Sequence, residues 1–372
     1  MKRKARASPT IPPVQRAQAF KQSSNDDVNW LNVGLMVLAC GLAIAAPFQV
    51  FLFAYAVLGP LHYLTEISWL HDRKYFTRQP RARQWWLALV LFSILVLAFT
   101  YAGTDAANNT PTNRTTIVFG TALISLVFAG AAAAIYVQDW RKGVGLLAIL
   151  AAGLAFFSGY RAFAWAVLAV TLLTTIVHVF VFTGAFILLG ALKSRSKVGI
   201  LSLVVFIACA ILAITVAAPF AAPTPHVRQL YLSFELLNRA LLLLFGHSRG
   251  ASPGVYESAG VGVMRLIAFA YLYHYLNWFS KTSIIKWHEV SRSRAVTIFG
   301  LWLLGGAIYL YDYRIGLGIF YILSMLHVFL EFPLNHQTFV DIGKSVSRWG
   351  TSASPRGTPD LVAATTVSRH KN

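Results

Sequence analysis

Charge is scarce in this chain, and acid is the scarcer sign. Its 372 residues hold only 13 Asp and Glu against 32 Lys and Arg; charged residues make up 12% of the chain and apolar ones 57%. That leaves too little polar surface to coat a soluble globule of this length, so an apolar solvent is required. Cysteine is nearly missing as well. Cys40 and Cys209 lie far apart in the sequence, inside apolar runs with no Cys-x-x-Cys pairing, so neither a disulfide framework nor a thiolate metal site is indicated. Also absent are a Gly-x-Ser-x-Gly elbow, a phosphate-binding glycine loop, a His-Glu-x-x-His zinc motif and the clustered histidine boxes of membrane desaturases and hydroxylases.

The net charge of +19 would suit nucleic acid in a soluble chain. Here the basic residues come in short clusters between apolar runs, without interleaved aromatics, so nucleic acid is not an expected partner. No cleaved leader is expected either, because the first apolar stretch follows a polar arm and is long enough to span.

The apolar residues arrive in runs of about 18 to 25, close to the ~20 that cross ~30 Å of hydrocarbon as a helix. A β-barrel would instead show weak alternation in short segments. The expected fold is therefore all-α: a polytopic integral membrane bundle of about ten transmembrane helices. They fall near 29–46, 48–71, 85–102, 116–138, 144–159, 162–192, 198–220, 261–280, 295–312 and 315–335. Assigning alternate connections to opposite sides gathers most Lys and Arg on one face: the N-terminal arm, Arg73 to Arg83, Lys193 to Lys197, Lys281 to Arg294 and the C-terminal tail. The positive-inside rule makes that face, and both termini, cytoplasmic. Residues 1–28 read as a basic disordered arm, 29–340 as the membrane domain and 341–372 as a disordered tail. Within the domain, about 226–245 carries Glu235 and Arg239 at helical pair spacing and reads as an interfacial amphipathic helix.

Ionisable groups inside a bilayer cost several kcal/mol each, about 2.5 to 3.5 on insertion scales, so each is a functional candidate. Glu66 and Glu331 are the only carboxylates placed clearly within spans. Each follows a histidine by four residues and precedes another by five: His62, Glu66 and His71 in the second span, His327, Glu331 and His336 in the tenth. Residues i and i+4 share a helix face, so each pair can offer an imidazole nitrogen and a carboxylate oxygen to one ion. His71 and His336 fall half a turn away and reach the same point only where the helix ends or bends; Pro333 supplies a break before His336. His274, in the eighth span, lies at a similar distance from the cytoplasmic boundary as His62 and His327.

The expected metal ligands are thus His62, Glu66, His71, His274, His327, Glu331 and His336, with His178, Tyr273, Asn277, His288 and Glu289 in supporting positions. His178 lies alone near mid-span, where a single histidine is ordinarily a packed, hydrogen-bonded residue. Imidazole and carboxylate ligands from facing helices suit non-haem iron, mono- or dinuclear, with zinc or manganese as alternatives. Haem b is a further alternative, since His274 and His288 are fourteen apart and return to one face of a continuous helix. The function expected from this chemistry is a metal-dependent oxidoreductase or oxygenase. Its substrate would be lipid-soluble, a lipid or an isoprenoid, with membrane lipid and a redox partner around it. The rival is a proton-coupled transporter using Glu66 and Glu331.

Overall fold

The computed structural model describes residues 13–73, 82–102, 104–105, 110–111, 114–136, 168–247, 254–281 and 289–350, with isolated positions between 143 and 153. The described chain is helical apart from a two-residue antiparallel ladder joining Thr104–Asp105 to Thr110–Pro111. Helix α1 (Pro13–Ala45) is followed by α2 (Pro47–Phe53), which runs through a π-helical stretch (Ala54–Leu58) into α3 (Gly59–Arg73). Then come α4 (Ala82–Ala102) and α5 (Arg114–Tyr136). A second π-helical stretch (Leu173–Phe182) leads into α6 (Thr183–Ser194), then α7 (Lys197–Thr215), α8 (Pro225–Tyr231) and α9 (Glu235–Leu244). The described chain closes with α10 (Ser258–Ser280), α11 (Arg292–Tyr311) and α12 (Tyr313–Gly350).

Among the described residues, seven helices are long and apolar enough to cross a bilayer: Asp26–Ala45, Pro47–Asp72, Leu168–Ser194, Lys197–Thr215, Ser258–Ser280, Arg292–Tyr311 and Tyr313–Ser347. The chain is in this sense a multi-pass membrane protein. Two further expected spans, 85–102 and 116–138, fall on α4 and α5, whose described apolar windows are shorter, Leu89–Ala98 and Gly120–Ala132. The expected span 144–159 lies mostly outside the described residues. Other boundaries differ from expectation. α7 stops at Thr215, with extended chain from 216 to 224, so the expected 198–220 span is shorter. Helix also begins at Pro13 within the arm expected to be unstructured, and α12 runs on to Gly350 through the expected start of the tail.

Helix α10 is the axis of the bundle. Of its best apolar window 89% is buried, against 11% for α11, whose side chains face outward. Small residues allow that central position: a Cβ added at Gly262 would lie 2.6 Å from the carbonyl oxygen of Ile214, so α7 packs backbone to backbone against α10 there. Three residues on, Arg265 is 3% exposed and faces carbonyls instead of a carboxylate. It donates to Ile44 O (3.3 Å), Val216 O (2.5 Å) and Ala218 O (2.6 Å). These acceptors lie at and just past the C-terminal ends of α1 and α7, where helices leave carbonyls without intrahelical partners and carry partial negative charge. At the foot of α12, Asp312 Oδ1 accepts from the backbone N–H of Arg314 (2.7 Å) and Ile315 (3.2 Å), a side-chain cap that separates α11 from α12.

The segment expected to be amphipathic is α8 and α9. Its Glu235 and Arg239 pair at 3.0 Å on the exposed side, while Leu237, Ala240, Leu241 and Leu242 are buried against the bundle.

Gly262→Ala is expected to lower the thermal midpoint of the detergent-solubilised protein by several degrees or to abolish recovery of a monodisperse peak, because the clash is with backbone. Gly306→Ala, where an added Cβ meets nothing within 4 Å, leaves the midpoint unchanged or slightly raised. Fluorescence-detected size-exclusion after a temperature series reads both.

Candidate metal centre

Four buried histidines converge on one point. His62 comes from α3, His178 from the second π-helical stretch, His274 from α10 and His327 from α12, and none is more than 7% exposed. One ring nitrogen of each lies within 4.8 Å of those of the other three. The rings form a closed circuit of edge-to-face neighbours. Their centroids are 4.7 Å apart for His62 and His274, 5.1 Å for His274 and His178, 5.0 Å for His178 and His327, and 5.2 Å for His327 and His62. Across two sides of the circuit the Nε2 atoms come to 3.1 Å, in the His62/His274 pair and again in the His178/His327 pair.

The two shortest of these spacings suit neighbouring ligands of a first-row metal ion. Two imidazole nitrogens at about 2.0–2.1 Å from one ion stand about 2.9 Å apart at a right angle and about 3.3 Å apart at a tetrahedral angle. The observed 3.1 Å contacts fall between the two. Beside this focus Glu66 Oε2 is buried without a partner of hydrogen-bond geometry, as are the Nδ1 atoms of His62, His178 and His327, which point away from the Nε2 contacts. The four imidazoles could hold a metal ion.

The two carboxylates adjoin the imidazoles. Glu66 Oε2 lies 3.0 Å from His62 Nε2, and Glu331 Oε2 lies 3.1 Å from His178 Nδ1. Asn335, one turn further along α12, donates its Nδ2 to Glu331 Oε2 at 3.1 Å. Beyond the end of α10, Lys281 is half-buried; loss of hydration pushes its ammonium down to about 8, while Glu331 and then Glu66 act in the opposite direction. The carboxylates thus face the end of the bundle that carries Lys281.

Aromatic rings wall the other sides. Tyr63 stacks on His327 (4.4 Å, 26°) and its hydroxyl meets that of Tyr275 at 2.8 Å; Trp278 stands edge-on to His62 at 5.5 Å and donates its Nε1 to Thr65 Oγ1 (3.0 Å).

Among the expected ligands, then, the structure brings together His62, His274 and His327, with Glu66 and Glu331 against the imidazoles. It does not bring in His71 or His336. His71 is exposed near the end of α3, and His336 is half-buried on α12, which continues as helix through Pro333 instead of breaking there. Both therefore stay half a turn from the cluster. Tyr273 turns away, its hydroxyl donating to Asn32 Oδ1 on α1 (3.1 Å), and Asn277 is buried with its backbone carbonyl accepting from Ser280. Glu289 is exposed, and His288 lies outside the described residues.

The haem alternative loses its geometric basis. α10 ends at Ser280, so His274 and His288 do not share a continuous helix.

Sequence spacing gives His178 only a supporting position, whereas the structure sets it in the cluster beside His62, His274 and His327. It sits in a π-helical stretch, where the extra residue per turn rotates its side chain off the face that a 3.6-residue period assigns to it. Thr183, at the first turn of α6, was missed; its Oγ1 lies 2.9 Å from His274 Nδ1. A signal did exist: a second π-helical stretch precedes His62, and such stretches recur at functional sites, but no composition rule marks them.

Comparison of the chain with family models, with curated proteins and with solved structures finds no match.

His178→Ala is expected to weaken metal binding at least as much as His62→Ala, by tenfold or more, whereas His71→Ala stays within about twofold of the parent. Equilibrium titration of the metal-stripped protein with Co(II) or Zn(II), read against a competing chelator, checks all three.

Proposed function

We propose that this chain is a membrane-embedded non-haem iron oxidoreductase acting on a lipid-soluble substrate such as a lipid or an isoprenoid, with ten membrane crossings and both termini in the cytoplasm. The observation that carries this reading is the four-imidazole focus buried in an apolar bundle, with Glu66 and Glu331 in direct contact with it.

The choice among metals follows from coordination number. Imidazole nitrogen suits Zn, Fe, Cu and Ni. Four imidazoles saturate a tetrahedral zinc and leave a closed, structural site. An ion that takes five or six ligands keeps one or two positions open on the same four side chains, which favours iron for a reactive centre. When bound, iron would supply one-electron and dioxygen chemistry at those open positions. The protein's own part is orientation and exclusion. The four ring planes hold their nitrogens toward one point, and burial in the bundle keeps bulk water out. Glu66 and Glu331 place negative charge beside the imidazoles, favouring a bound cation. The substrate class rests on place: a site enclosed by apolar membrane helices is reached from lipid more readily than from water.

A transporter remains the second reading, favoured by the two neighbouring carboxylates inside apolar spans and by Lys281 beyond them. The two readings part on metal. Detergent-purified protein is expected to carry iron in stoichiometric amount, with no Soret band, and to lose it in the His62→Ala/His327→Ala double variant. Elemental analysis with an absorption spectrum reads this. Protein free of any transition metal, reconstituted in vesicles and showing pH-gradient-driven uptake that Glu66→Gln abolishes, would overturn the enzyme reading.

A further inference from the structure

Among the four histidines, one has its tautomer settled by a neighbour that cannot change its own protonation. Thr183 Oγ1 makes two short contacts, 2.8 Å to the backbone carbonyl of Val179 and 2.9 Å to His274 Nδ1. A hydroxyl has one proton to give, and a carbonyl can only accept. If that proton went to His274, the hydroxyl and the Val179 carbonyl would face each other at 2.8 Å as two lone-pair-bearing oxygens with nothing between them. If it goes to Val179, Thr183 can only accept, and both contacts become hydrogen bonds provided His274 carries its proton on Nδ1. Thr183 is 1% exposed, so water does not offer a third arrangement.

We infer that Thr183 is a positioning residue that holds His274 as the Nδ1–H tautomer, with a bare Nε2 lone pair aimed into the four-histidine cluster. The inference deepens the metal-site reading and rests on it for its purpose, but the tautomer is a property of the protein alone. Backbone geometry makes the device specific. Thr183 stands at the junction where the π-helical stretch hands over to α6, five residues after His178. The same local widening that turns His178 into the cluster therefore also sets the hydroxyl under His274. One irregular segment supplies one imidazole and orients a second.

The contrast with the other three rings sharpens the role. The Nδ1 atoms of His62, His178 and His327 have no partner of hydrogen-bond geometry among the described residues, although Glu331 Oε2 stands 3.1 Å from that of His178. Only His274 is preset by a neutral group. In the metal-free protein the Nε2 of His62 lies 3.1 Å from the His274 Nε2 lone pair and, when protonated, has it and Glu66 Oε2 at 3.0 Å as its two acceptors. A metal replacing that single proton would meet two nitrogens already in place.

The test is nitrogen NMR of metal-stripped, histidine-labelled protein in detergent, with His274→Gln identifying the resonances of His274. The wild type is expected to show a protonated Nδ1 and an unprotonated Nε2 at this ring. Thr183→Val, which keeps the shape and removes the acceptor, is expected to shift the ring toward the Nε2–H form, and Thr183→Ser to restore the wild-type pattern. Co(II) titration then gives the consequence: a 10- to 100-fold weaker affinity in Thr183→Val with a changed visible spectrum, and near-parental values in Thr183→Ser. An unchanged tautomer in Thr183→Val, or an Nε2–H ring in the wild type, overturns the inference. A tautomer that follows Thr183 in a protein that binds no Co(II) upholds the positioning role and removes the metal reading instead.

Discussion

Polar side chains taken into hydrocarbon must satisfy one another, and that requirement organises this molecule. Four imidazoles and two carboxylates are buried in a bundle that exposes many large apolar side chains among its described residues. Each would cost kcal/mol if it faced lipid alone. Convergence from four helices is the arrangement that lets them share the expense, and it dictates the packing around them. α10 is central, because its His274 reaches His62 on α3 and His178 on the π-helical stretch, and Gly262, which lets α7 approach α10, serves that position. Arg265 solves the same problem at another level of α10, drawing on helix-end carbonyls that would themselves be unpaired.

How much of this can be read from the chain without coordinates depends on whether regular helix geometry holds. The pairs His62/Glu66 and His327/Glu331 are legible because i, i+4 spacing on an α-helix has one meaning, and the contact of His62 with Glu66 within α3 is what that spacing implies. The helical, multi-span character is legible for a related reason: run length against bilayer thickness leaves few choices. Glu331 already departs from the simple picture, since its oxygen meets His178 across the bundle. His71 and His336 were drawn in by assuming that their helices end or break, and α12 does neither at Pro333, because one missing N–H is tolerated where neighbouring helices pack around it.

His178 and Thr183 show the other side. Nothing in the composition of Leu173–Phe182 distinguishes it from an ordinary apolar helix, yet its π-helical geometry decides which residues face the cluster. A π-helical turn is less stable than an α-turn and persists where tertiary contacts favour it. The information that places His178 is therefore not local: it lies in the fit of that segment against α10 and α12, which no periodicity count reaches. The same holds for Tyr63, which stacks on His327 although the two are far apart in the chain.

Charge balance links the parts. Neutral imidazoles bring no charge to the focus, so a bare divalent ion there would stand in a low-dielectric interior with an excess of two. Glu66 and Glu331 carry up to two negative charges when ionised, and they sit in contact with the imidazoles, where they can offset that excess. Without a cation the same carboxylates are the liability: two of them buried side by side repel, and the half-buried Lys281 near them relieves the imbalance only in part. The two acidic residues placed inside the spans thus stand where a divalent cation, were one bound, would balance their two negative charges. Charge joins geometry in narrowing what the cluster could hold, since it favours a cation over an anion.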